Sequence, residues 1–407
     1  MHILFLTDNF FPEGNAPATR TYEHAREWVN KGNKVTVITC VPNFPEGKIY
    51  DGYKNQWLFK ESIDGIDVWR VKTYIASNEG FIKRTIDFLS FMFTSFMFGL
   101  FTKKVDIVIG TSPQFFTVIS SWALAKIKRV PFIFELRDIW PASITAVNAM
   151  RSGWLIHLLE KLELFLYHQS DLIICVTQSF KLDLQRRGVP RHKIKVITNG
   201  VNLAQYNHLP EKDLELSELY NLKGKFVAGY IGTLGMAHAL NTIIKAAILL
   251  KKFENIKILL VGGGSDRSRL VEMVKARNLS NVLIIERQPK EKMQKILSLC
   301  DLSIVSLKDT PLFSSVIPSK IFESMAMGIP ILMSTPIGEA TEIIQENKVG
   351  IVIPPENPIS LSQAILDLEK NKSKIQLLSE NSKLTANKFN RKILSVKMLD
   401  YLKETLS

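Results

Sequence analysis

Three cysteines in 407 residues, Cys40, Cys175 and Cys300, are too few and too widely spaced for a disulfide framework, and each sits among apolar neighbours. Reduced, buried thiols in a cytoplasmic setting are the expectation. Acidic residues are in deficit as well, because 39 Asp and Glu face 52 Lys and Arg, leaving a net charge of +13. The partner should therefore be anionic: nucleic acid, a phosphate-bearing small molecule or the acidic face of a membrane. Nucleic acid ranks last, since the chain has no RNP-like aromatic motif, no Cys/His zinc spacing and no basic heptad helix. Met1 leads directly into an apolar, strand-like run at 2–7, so no signal peptide is expected. A Gly-Lys-Ser/Thr motif is also lacking, which removes a P-loop NTPase. The run Gly262-Gly263-Gly264-Ser265 would need a further glycine at Arg267 to make a dinucleotide fingerprint, so a nicotinamide cofactor is disfavoured.

What is present is a long alternation of short apolar runs with helix-length amphipathic segments. With 46% hydrophobic residues this excludes disorder and argues for an α/β chain of parallel sheets in two domains. Strands are expected at 3–7, 35–39, 68–71, 106–110, 132–136, 172–176 and 194–197, then at 226–231, 256–261, 282–285, 302–305, 329–333 and 350–353. The polar stretch 201–225 reads as a linker, which sets the domains at 1–210 and 211–385. A last helix within 386–407 carries Ile393, Val396, Leu399 and Leu402 at helical spacing and is expected to pack back on the first domain.

Within 82–104, an apolar stretch from Ile86 to Phe101 is rich in Phe and Met and lies between Lys83-Arg84 and Lys103-Lys104. Its sixteen residues would cover only about 24 Å as a helix, short of the ~30 Å hydrocarbon core. An in-plane, membrane-associating helix fits better than a spanning one, with a fully buried core helix as the alternative.

Four segments could carry chemistry. The loop after the first strand, Asn9 to Ala18, includes Gly14 and feeds a helix near Pro17, at the edge where open α/β sheets bind ligands. A plain strand-to-helix turn explains it equally well. Glu135, Arg137, Asp138 and Trp140-Pro141 follow a strongly apolar strand; burying three charges there is costly, so a cleft lining is favoured over a structural ion pair. Gly229 to Gly235, with Gly232 and Thr233, and Gly262 to Gly264, with Gly263, mark close backbone turns, each weak evidence alone. In Pro318 to Pro330, Pro-Ser opens a short helix that Gly328 and Pro330 close, and Lys320 and Glu323 share one face. Ser319 stands at its start. An ammonium for a diphosphate and a carboxylate for ribose hydroxyls suit a nucleotide sugar; a surface salt bridge is the plainer reading of that pair.

In this order the motifs resemble those of GT-B glycosyltransferases of family 4, within the bacterial O-antigen and capsule branch that includes a proposed N-acetyl-L-fucosaminyltransferase. The resemblance spans nearly the whole chain, and Pro318 to Pro330 is its most specific part. It implies two Rossmann-like, doubly wound domains facing across a cleft, the second binding the nucleotide and the first the acceptor, with retention at the anomeric carbon and no obligatory metal or other cofactor. By matching positions, Glu323 would bind the ribose, Lys320 and the amides near Gly232 and Thr233 would face the diphosphate, and Gly14 would line the donor phosphate side. Ser315 stands where many relatives have a second Glu, and Arg137 where many have His. Asp138, retained, is the candidate to orient the acceptor hydroxyl or take its proton. The family's Arg-and-Lys phosphate clamp after Gly232 is replaced by Met236, Ala237 and His238, so Lys320 and Arg287 would supply the cationic charge. The reading is transfer of a (deoxy)hexosamine from a UDP-linked donor to a polyprenyl-diphosphate-linked saccharide at the inner membrane face. A soluble nucleotide-sugar 2-epimerase of the same architecture is the alternative, and a non-catalytic nucleotide-binding module a third.

Overall fold

The computed structural model describes residues 1–44, 46–76, 81–112, 114–139, 153–209 and 211–406; Trp140 and Pro141 lie outside them. The chain forms two compact units, Met1–Thr198 with Arg391–Ser407, and Asn199–Asn390. The stretch expected to be a linker instead belongs to the second unit. Val201, Tyr206 and Leu222 are buried in its core, and Asp213 caps the helix Leu214–Leu219 by accepting from Leu216 N. Isolated anchors of this kind leave no periodic signal.

The first unit holds an eight-stranded sheet. Its strands are β1 (His2–Leu6), β2 (Lys34–Thr39), β3 (Leu58–Ile63), β4 (Ile66–Val71), β5 (Ile107–Thr111), β6 (Phe132–Leu136), β7 (Leu172–Cys175) and β8 (Ile194–Val196), in the order β3-β4-β2-β1-β5-β6-β7-β8. All neighbours pair in parallel except β3, which runs antiparallel to β4. That strand has no counterpart among those expected from the sequence. It is a half-exposed edge carrying Lys60 and Glu61, so it lacks the apolar run of its buried neighbours. The turn Asp64-Gly65, both residues at positive φ, joins it to β4.

The central strands are buried on both faces, which is why they read as continuous apolar runs. In β1, Ile3 and Phe5 join one core, and Leu4 and Leu6 the other. The second unit repeats the scheme with β9 (Phe226–Ile231), β10 (Ile256–Val261), β11 (Val282–Ile285), β12 (Leu302–Ser306), β13 (Ile331–Ser334) and β14 (Gly350–Ile353), in the order β11-β10-β9-β12-β13-β14. In each sheet the strand order reverses once, between β1 and β5 and between β9 and β12. Outside the carboxyl ends at such a point the connecting helices diverge and leave a crevice.

The Phe-rich segment forms the helix Phe81–Gly99. It is neither free nor wholly buried. Phe91, Thr94 and Ser95 are enclosed, and Ser120 of the helix Phe115–Lys128 donates to Met92 O at 2.7 Å. Gly99 abuts Leu124, where a Cβ would fall 2.4 Å from Cδ1. The opposite face stays open: Ile86 and Leu89 are exposed, Phe93 is 63% exposed, and Phe101 just beyond the helix 67%. Among the described residues, no helix is long and apolar enough to cross a membrane. The three cysteines are buried and unpaired.

The last helix, Arg391–Glu404, lies in the first unit, where Leu394, Met398, Leu399 and Leu402 share a core with Ile3, Phe5 and Trp28. Trp28 Nε1 donates to Ser395 O at 2.9 Å, and Arg391 pairs with Glu23 at 2.6 Å. The buried face is turned from the one the sequence suggested, since Ile393 points to solvent. Met398→Ala should therefore cost about 2–5 kcal/mol in urea unfolding, whereas Ile393→Ala should stay within about 0.5 kcal/mol.

Candidate functional site

The first sheet's carboxyl edge is densely tied. After β1, Asn15 Oδ1 caps the helix Ala16–Asn30 by accepting from Ala18 N at 2.8 Å, and its amide donates to Asn9 Oδ1 at 2.6 Å. Glu13 is buried and accepts from the amides of Asn43 and Phe44 at 2.8 and 2.9 Å, fastening this loop to the one after β2. Arg70, also buried, donates to Phe11 O at 2.6 Å and Cys40 O at 3.0 Å and pairs with Glu61. Gly14 is exposed between these fixed points. Burial pushes the Glu13 carboxyl up to about 7, against the two amides that favour its anion. Asp8, one residue ahead of the motif, is raised too, by burial and by Asp87 of the Phe-rich helix; Gln114 donates to its Oδ2. Three carboxylates thus crowd an edge where the sequence had drawn attention only to the loop.

Glu135 corrects an expectation. Instead of lining a cleft, it is 1% exposed and pairs with Arg20 Nε at 2.9 Å. Arg20 also donates to Thr198 O and Ile197 O, so this ion pair bolts the first helix to the ends of β6 and β8. Arg20 draws the carboxyl below its ordinary range in spite of burial. Arg137 and Asp138 do reach the edge. Their amides both donate to Ser112 Oγ, at 2.8 and 3.2 Å, beside the end of β5. Burial lowers Arg137 to about 10, leaving it charged at neutral pH, and its Nε and one terminal nitrogen are enclosed with no partner among the described residues.

In the second unit the site residues line up along one edge. After β9, Gly232 turns at φ +143 and its N–H donates to Val261 O at 2.9 Å. Leu234 N donates to Gly263 O at 2.8 Å and Asp266 N to Leu234 O at 2.9 Å, which locks this turn to the one after β10. Of the three successive amides, only that of Thr233 is left for a ligand among the described residues. Gly262 is required by that packing, since a Cβ there would lie 1.9 Å from Gly232 O at a φ of +154. Gly263 is roomier; its virtual Cβ would meet Arg287 Cβ at 3.8 Å, which places exposed Arg287 at the mouth of the same turn.

The helix Lys320–Ala326 starts from Ser319, whose side chain makes no cap, and Gly328 at φ +68 follows its end. Lys320 bends toward the β9 turn. Its Nζ stands 3.5 Å from the centre of the Tyr230 ring and 3.0 Å from where a Cβ on Gly232 would be. It has no hydrogen-bond partner among the described residues. Burial pushes this ammonium down to about 7, with Glu323 pulling the other way. His238 lies alongside, held down to about 4 by burial and the Lys320 charge, and therefore neutral. Ser306 at the end of β12 donates to His238 O at 2.6 Å, and Lys308 N to Ala237 O at 2.9 Å. These bonds close the switch point between β9 and β12.

Lys320, Gly232, Thr233 and Glu323 thus gather at one edge, with Gly263 and Arg287 on the adjoining turns. Gly14, Arg137 and Asp138 belong to the first unit's edge. Tyr230 lies within the glycine run 229–235, where the sequence signals no role for it, because an aromatic side chain at the end of a core strand ordinarily reads as packing. An edge of this form, with a lysine and a carboxylate one helical turn apart, suits an anionic ligand bearing hydroxyls.

Comparison with known proteins agrees. Residues 213–385 match the family described as "Glycosyl transferases group 1", and residues 17–205 match "Glycosyltransferase Family 4". The chain is a two-domain glycosyltransferase. It is 24% identical over 377 residues to the putative colanic acid biosynthesis glycosyl transferase WcaI of Escherichia coli (strain K12), covering 90% of this chain and 91% of that protein. Among solved structures it superposes on sucrose-phosphate synthase from Thermosynechococcus elongatus with a TM-score of 0.80 at 14% identity, over 99% and 98% of the two chains. Anabaena HepE, solved with UDP and glucose, gives a TM-score of 0.73 at 17% identity, over 98% and 99%. The fold is GT-B, and these likenesses do not favour the epimerase.

Proposed function

We propose that this glycosyltransferase takes a (deoxy)hexosamine from a nucleotide diphosphate sugar, with UDP as carrier, and transfers it with retention to a polyprenyl-diphosphate-linked saccharide in the synthesis of a bacterial surface polysaccharide. The observation that carries the donor half is Lys320: a buried ammonium with no hydrogen-bond partner among the described residues, at the carboxyl edge of a parallel sheet, one helical turn from Glu323. Structures of HepE with UDP and with UDP-glucose support the same class of donor. The relatives' naming for colanic acid and amylovoran biosynthesis supports a polysaccharide product.

In this reading Lys320 and the Thr233 amide take the diphosphate, and Glu323 accepts from the ribose hydroxyls. As the glycosidic bond breaks, negative charge grows on the departing diphosphate. A cation already in place stabilises it without reorganising. Lys320 can do so without a metal, and Arg287 adds charge from the next turn. Asp138 orients the acceptor hydroxyl, and Arg137 holds the acidic surroundings of that edge in balance.

Lys320 makes the donor half testable by pH. Its ammonium titrates near 7 when the site is empty. A bound diphosphate raises that value, because it favours the charged form. Affinity should then weaken above the free value, by about fifty-fold between pH 7 and 9. Phosphate ionisation, with a pKa near 6, is complete over that range. Calorimetric titration of UDP and GDP should show this decline for the native chain and a flat profile for Lys320→Arg. A chain that binds neither nucleotide would end the reading.

The acceptor half rests on the first unit. The helix Phe81–Gly99 shows Ile86, Leu89 and Phe93 to solvent, with Lys83 and Arg84 at one end and Lys103 and Lys104 beyond the other, all exposed. Apolar side chains flanked by lysine and arginine match an anionic bilayer surface, and attachment at the inner face of the membrane would bring a lipid-linked acceptor to the enzyme. The native chain should pellet with vesicles of anionic phospholipid. Leu89→Glu with Phe93→Glu, both on the open face, should melt as the native chain does and stay in the supernatant; unchanged pelleting would refute attachment through this helix.

A further inference from the structure

One contact at the donor edge is unusual. A buried lysine ordinarily meets a carboxylate or a row of carbonyls, because three N–H donors out of water are costly. The Lys320 ammonium instead lies against the face of Tyr230, 3.5 Å from its centre. An aromatic face attracts a cation electrostatically without accepting its directional hydrogen bonds. None of its donors is therefore committed to an acceptor among the described residues, whereas a carboxylate partner would have to be displaced by an incoming anion.

Tyr230 itself is fully buried in β9, in a core with Leu234, Leu240 and Ile243, so its ring cannot follow a mobile lysine. Its hydroxyl is bound as well. Tyr230 Oη donates to Thr233 O at 2.8 Å, inside the turn whose Thr233 amide is available. The ring also meets His238 at 5.9 Å between centres. His238 is neutral and sits in the segment anchored to the end of β12. One rigid side chain thus touches the cation and the turn that together face the edge.

We infer that Tyr230 is a positioning residue for the donor diphosphate, its ring seating the Lys320 ammonium and its hydroxyl setting the Thr233 turn, without itself touching the ligand. This deepens the donor reading and rests on it. A long lysine side chain loses considerable rotamer freedom when it is fixed, and a ligand that finds it already fixed does not bear that cost. Glycine at 232 belongs to the same device, because a Cβ there would lie 3.0 Å from the ammonium and press on it.

The test is a double-mutant cycle read by calorimetric titration of UDP, with GDP and ADP in parallel. Single variants Tyr230→Leu and Lys320→Met and their combination are compared with the native chain. Tyr230→Leu should weaken UDP about tenfold, in keeping with the strength of a desolvated cation–ring contact. In the Lys320→Met background the same change should weaken it by less than about threefold, because residues acting through one another are not additive. Tyr230→Phe keeps the ring and should retain most of the affinity, losing only the hold on Thr233. If Tyr230→Leu does not melt cooperatively, Tyr230→Met fills the core with a flexible side chain that has no aromatic face and takes its place in the cycle. Equal losses in both backgrounds would overturn the inference while leaving the donor reading intact. Failure of the native chain to bind any of the three nucleotides would overturn both.

Discussion

A single ammonium group, out of water and held against an aromatic ring, is what the proposed donor edge is built around. A lysine in such a place stays charged only if something anionic nearby makes the charged form worthwhile. Here Glu323 supplies part of that influence, yet burial outweighs it and brings the group to about 7. The β9 turn gives the group no acceptor among the described residues, with Gly232 at φ +143 beside it and the hydroxyl of Tyr230 bound to the turn. This arrangement is unfavourable to the protein by itself, and a bound anion would offset that cost, which fits the proposed diphosphate site better than a stabilising salt bridge.

The sheet places that group. A parallel sheet ends all its strands at one edge, and the helices leaving β9 and β12 depart to opposite sides, so the turns between them face open space. Glycines at 232 and 262 let the neighbouring turns approach until their carbonyls and amides bond to each other. The first unit uses the same geometry with different chemistry. Its edge is braced by the Arg20–Glu135 pair and by Glu13, and it presents Arg137 and Asp138.

Much of this was legible in the chain. Strands buried on both faces announce themselves as apolar runs, and Pro318 to Pro330 revealed a short helix with lysine and glutamate on one side because proline and glycine mark its ends. The edge strand β3 was missed, although Asp64-Gly65 is a strong hairpin signal, since Lys60 and Glu61 break the apolar pattern that buried strands show. The segment after Val201 looked like a linker because it is held by scattered anchors. Glu135 was misread for a different reason: the arginine that neutralises it is 115 positions away, and only the folded chain brings them together. Tyr230 was invisible as a functional residue because packing and positioning use the same side chain.

The most direct measurement is the structure of the chain crystallised with UDP. A diphosphate oxygen should lie about 3 Å from Lys320 Nζ, with the ribose hydroxyls on the Glu323 carboxylate and the lysine still resting on Tyr230. A nucleotide bound elsewhere, or one at this edge with Lys320 turned away from its phosphates, would contradict the donor reading.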